Sequence, residues 1–136
     1  MDNLDGLNNL SQEESLSLTK MIIGILESWG LNTRQQHTLL AFSKKVPIRG
    51  MRRFQDDQAF PNETDLNMRL EHIVGIHHAL HTTYPHNPAM GPLWIKTRNK
   101  RFENQSPITL MLEEGLTGVM RVRSHLDCAY DWELNP

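Results

Sequence analysis

The sequence predicts an all-α fold. Apolar residues recur at helical spacing almost throughout, and no run alternates convincingly with period two. Helix-start signatures stand at the heads of several of these segments, with Gly or Pro beyond their ends. The chain has 136 residues. That length fits one domain, or two very small ones, and buries enough surface to need no disulfide staple.

Each element follows in order. Ser11-Gln12-Glu13-Glu14 reads as a capping box, in which hydroxyl and carboxylate satisfy opposite backbone donors. It opens a helix expected to carry Leu18, Met21, Ile22, Ile25 and Trp29 on one face, stopped by Gly30. Thr33-Arg34-Gln35-Gln36 reads as a second box, starting a shorter helix with Leu39 and Leu40 inward. Pro47 suits the first turn of a third helix carrying Ile48, Met51 and Phe54. Residues 56–62 read as a loop. A long helix follows over about 64–84, with Leu66, Leu70, Ile73, His77, Leu80 and Tyr84 on a single stripe.

Pro85, Pro88 and Pro92 punctuate the next stretch, and a short helical turn is expected over 90–95. Ser106-Pro107 is an N-cap with Pro at the first helical position, and Gly115 ends that helix. Thr117 is expected to cap the last helix, with Val119, Val122 and Leu126 apolar and residues 130–136 as a tail beyond it. The expected organisation is a helical domain over 11–84 and a second over 88–136.

Composition excludes some functions. Residues 21–26 form the longest apolar stretch, far short of the roughly 20 a membrane helix needs. The N-terminus has neither a basic nor an apolar leader region, so a cytoplasmic protein without membrane partners is expected. Cys128 stands alone and can form neither an internal disulfide nor a multi-cysteine metal site. His77 and His81 have i, i+4 spacing beside His78, but no carboxylate or cysteine completes a zinc set. No phosphate loop and no nucleophile elbow is present. Neither an enzyme, nor a cofactor, nor a metal is expected.

The net charge of −2 comes from 14 bases and 16 acids, unevenly placed. Residues 32–55 hold six bases and no acid, whereas the segments on either side are acidic. Two short helices joined by a turn, with bases on the second, suggest a helix-turn-helix-like presentation to DNA through Lys44, Lys45, Arg49, Arg52 and Arg53. An ordinary solvated basic face is the other reading. The turn over 41–47 is long, and Pro47 holds Val46 out of helical geometry. That weakens base reading more than phosphate binding.

The ordered series Trp29-Gly30-Leu31, Leu39-Leu40, the basic helix, Arg69-Leu70-Glu71-His72-Ile73-Val74-Gly75-Ile76, Leu80, Leu93-Trp94-Ile95, Arg98-Asn99, Arg101-Phe102, Ser106-Pro107 and Met111-Leu112-Glu113-Glu114-Gly115 resembles a known family. It is similar to the Xre/MbcA/ParS antitoxins of bacterial type II toxin–antitoxin systems. The likeness covers roughly residues 16–132 and is strongest over 94–126. Where the family often has Leu-Leu-Gly, this chain has Leu39-Leu40-Ala41.

The resemblance implies a helix-turn-helix-like N-terminal domain followed by a small helical toxin-binding domain. The implied partner is a cognate RES-domain, NAD-degrading toxin whose active site the antitoxin's C-terminal portion blocks. Operator DNA is a further implied partner, through autorepression. A homo-oligomer, or a hetero-oligomer with the toxin, is expected. The toxin-binding residues expected here are Arg121, Arg123, Tyr130, Asp131, Trp132, Glu133, Leu134, Asn135 and Pro136. Large apolar groups alternating with acids suit an interface, while Tyr130 and Trp132 equally suit folding back onto the core. Two alternatives stand beside this reading: a DNA-binding transcriptional regulator, and an interaction module that inhibits a different protein.

Overall fold

A computed structural model describes residues 9–42 and 46–134, with side chains up to residue 128. Among the described residues the regular structure is helical, as the periodicity predicts, with no strand. In chain order the α-helices are α1 (Gln12–Ser28), α2 (Thr33–Leu40), α3 (Met51–Asp56), α4 (Thr64–Thr83), α5 (Met90–Lys96), α6 (Pro107–Glu114) and α7 (Leu116–Leu134). Two 3-10 turns, Ile48–Gly50 and Lys100–Phe102, complete the set. The chain divides into two compact units, residues 1–71 and 72–136. The division falls inside α4, not in the proline-punctuated stretch after it.

The first unit is built on α1. Ser11 and Glu14 form the expected capping box, with hydroxyl and carboxylate each 3.0–3.1 Å from the opposite backbone nitrogen. The Glu14 carboxyl lies below its usual range, chiefly because the Ser11 backbone N–H binds its ionised form. Ile22, Ile25, Leu26 and Trp29 are buried, but so is Ile23, and Met21 is 45% exposed. The buried arc is therefore rotated away from Met21. The cap of α2 is Asn32 rather than Thr33, with Gln35 as its reciprocal partner. Asn accepts from N3 as well as Thr does, so the box shifts by one residue.

Leu39 and Leu40 are buried, and α2 ends at Ala41 in the left-handed region, φ 46°. Pro47 precedes the 3-10 turn that leads into α3, where Met51 and Phe54 are buried. Phe42, Phe54 and Phe60 form an aromatic cluster, with centroids 5.0 to 5.8 Å apart. The Thr19 hydroxyl donates to Ser15 O and accepts from Phe60 N at 2.8 Å, so one buried group ties the loop to α1. Arg69 Nη1 donates to Leu39 O, satisfying a carbonyl that the end of α2 leaves open.

In the second unit, Ile73, Ile76 and Leu80 of α4 are buried, whereas His77 is exposed. The apolar stripe passes through Ile76, one position before the expected histidine. Ser106 caps α6 and Pro107 is its first residue, as expected. Gly115, at φ 63°, ends α6, and α7 starts directly at Leu116. Thr117 therefore lies within α7 and is not its cap. A Cβ on Gly118 would stand 2.5 Å from Leu110 O, so a bare glycine lets α7 lie close against α6. Val119, Val122 and Leu126 are buried, and Cys128 is exposed. No helix among the described residues is long and apolar enough to cross a membrane.

Candidate functional site

The residues expected to meet a partner lie on α7. Arg121 is already engaged. Its Nη1 lies 3.0 Å from Glu114 Oε2 and its Nη2 3.5 Å from Glu103 Oε2. These carboxylates hold the guanidinium pKa above its usual range, the Glu114 hydrogen bond foremost. Arg123 is engaged as well. Its Nε lies 3.7 Å from Asp127 Oδ2, and its Nη1 donates to His72 Nδ1 at 3.1 Å. Both arginines thus serve intramolecular pairs; the i, i+4 spacing on α7 accounts for Arg123 with Asp127, whereas Glu103, Glu114 and His72 come from outside that helix.

The backbone of α7 runs through Leu134. Tyr130, Asp131, Trp132, Glu133 and Leu134 therefore lie on helix rather than in a tail beyond it. Their side chains, together with Asn135 and Pro136, are outside the described residues. The helix continues for a simple reason. Apart from Pro136, no residue after Leu126 is a Gly or Pro, so nothing in the chain forces the helix to stop.

In the first unit, Arg49 on the 3-10 turn and Arg52 and Arg53 on α3 are all exposed. Arg49 and Arg53 line one concavity with Val46, Pro47, Gly50, Phe54 and Gln58. Buried Met51 and Phe54 fix the rotation of α3 and so turn these arginines outward. At six residues, α3 is about 9 Å long, shorter than the roughly 12 Å width of a major groove. Lys44 and Lys45 are outside the described residues.

A further constellation escaped the sequence reading. His125 packs parallel to Trp94, with centroids 6.0 Å apart and planes 7° apart, and edge-on to Phe102 at 5.3 Å. Burial, and secondarily the charge of Arg101, lowers the His125 pKa. Only tertiary packing brings residues 94, 102 and 125 together. His77 and His81 stack with centroids 6.4 Å apart, and partial desolvation of the ring, with the charges of His81 and His78, lowers the His77 pKa. No group of three metal-capable side chains occurs among the described residues.

No family model matches the chain, and no curated protein and no solved structure matches it either.

Proposed function

We propose that this chain is a non-enzymatic antitoxin that binds a RES-domain, NAD-degrading toxin and blocks its active site with the end of α7. The observation that supports this reading is the reach of that helix. Leu126 is the last buried residue among those whose side chains are described, and the helical backbone continues to Leu134. The continuation carries the apolar and acidic residues suited to a partner interface. The sequence resemblance over residues 94–126 supplies the identity of the partner.

The test is whether a RES-domain protein is encoded beside the gene, and then co-expression with it, reading growth and NAD consumption. The full chain should restore growth and form a complex. A chain lacking residues 131–136 should lose neutralisation while keeping its helical circular dichroism. Full rescue by the truncated chain would overturn the blocking mechanism.

A second reading is a DNA-binding autorepressor. It is favoured by Arg49, Arg52 and Arg53, which are exposed and make no ion pair among the described residues. Replacing all three by Ala should weaken operator binding and flatten its salt dependence. Equal binding by the wild type and the triple variant sinks this reading.

A further inference from the structure

The end of α5 and the loop after it carry a second concentration of positive charge, in the other unit. Lys96, Arg98, Lys100 and Arg101 fall within six residues, and all four are exposed. None of them makes an ion pair among the described residues. The one acid in the loop, Glu103, faces Arg121 at 3.5 Å, so its charge is partly taken up outside the cluster.

The loop's shape is fixed by its own backbone. Asn99 N donates to Gln105 O at 3.1 Å, closing the loop, and the Asn99 side chain accepts from Arg101 N at 2.9 Å. Glu103 and Asn104 turn the chain through the left-handed region, at φ 54° and 64°. Phe102 is buried against Trp94 and His125 and anchors the loop from within. Lys100 and Arg101 are thus held on a closed, anchored loop, with Arg98 just before it and Lys96 at the end of α5.

We infer that this basic segment, through Lys96, Arg98, Lys100 and Arg101, is a binding surface for the phosphodiester backbone of a nucleic acid. Phosphate contacts are made mainly by Lys and Arg, need no base recognition and tolerate a fully hydrated surface. A protein interface needs an apolar centre, and the loop's one large apolar side chain is turned inward. Trp94, at the start of the basic run, has one face against His125 and is only half-buried, so part of its ring is accessible beside these cations, where an unpaired base can stack. A single strand is therefore the expected better ligand. This inference does not depend on the antitoxin reading, nor on the arginines of the first unit.

The experiment is fluorescence anisotropy of a labelled oligothymidine, and of a duplex of equal length, with the full chain at about 0.15 M salt. The single strand should bind more tightly than the duplex. Arg98→Gln with Arg101→Gln should weaken single-strand binding about tenfold and flatten the log–log salt slope by about 1.4. The charge-matched control Lys20→Gln with Arg34→Gln should bind like the wild type. Should the arginine pair impair folding, Lys96→Gln with Lys100→Gln provides the same test. Absence of binding by the wild type overturns the inference, and so does equal loss in the charge-matched control. A loss as large on replacing exposed Leu93 by Ser would mean that apolar contact rather than phosphate neutralisation carries the binding, and would overturn it too.

Discussion

The guanidinium of Arg123 lies against the bare backbone of Gly75. A Cβ at Gly75 would stand 2.5 Å from Arg123 Cζ and 2.6 Å from Nε. The glycine sits within α4, where its missing side chain costs helix stability but leaves a seat for the arginine. From that seat Arg123 reaches His72 on α4 and Asp127 on its own helix. A residue that the sequence suggests for a partner is thereby an internal brace of the second unit.

This packing predicts coupling between the two positions. In an Arg123→Ala background, Gly75→Ala should stabilise the chain by about 1 kcal/mol, the ordinary helix-propensity gain. In the wild type the same change must displace the guanidinium, so the gain should shrink to about half or less. Urea denaturation of the four proteins in the cycle measures the difference. Equal gains in both backgrounds would show that the two residues are independent.

A second prediction concerns Ala41. It holds φ 46° at the end of α2, a conformation that costs a residue bearing a Cβ roughly 1–2 kcal/mol. Its side chain is exposed, so no packing is lost on removing it. Ala41→Gly relieves the strain but adds roughly 0.4–1 kcal/mol of unfolded-state freedom. The net expectation is a gain of about 0.5–1 kcal/mol, seen as a higher urea midpoint. Ala41→Val should shift the midpoint the other way.

The third prediction is a pH dependence. His125 has a folded pKa below its ordinary value of 6.5, from burial first and Arg101 second. The unfolded chain therefore takes up a proton more readily than the folded one. The stability at stake is present above the unfolded pKa and is lost as pH falls through 6.5 toward the folded value. His77 is shifted in the same direction, by partial desolvation and by His81 and His78, and contributes a parallel slope. Melting temperature should fall between about pH 7.5 and about pH 5.5, and His125→Gln should fall less steeply. An identical slope in that variant would remove His125 as a cause.

The sequence reveals features set by local chemistry. Ser11 with Glu14, Ser106 with Pro107, and Gly115 each act on backbone groups within a few residues, so their signals survive in one dimension. Where two neighbouring residues can do the same local job, the pattern is ambiguous. Asn32 and Thr33 both make acceptable caps, and only the helix register selects Asn32. Ile76 and His77 both fall near the apolar stripe, and desolvating an imidazole favours the isoleucine.

The candidate surfaces divide in the same way. The basic character of residues 32–55 and 96–101 is visible in composition, because charge density needs no fold to be counted. Which cations stay free is a tertiary matter. Arg121 and Arg123 differ from Arg98 and Arg101 only through carboxylates, a histidine and a glycine brought near by packing. The sequence by itself determines that this chain is helical, where most of its helices begin and end, and where its charge is concentrated. The tertiary structure alone decides that Arg123 is a brace between helices and that Arg98 and Arg101 remain open to a ligand, because the seat of Arg123 on Gly75 and its bond to His72 join residues about fifty positions apart.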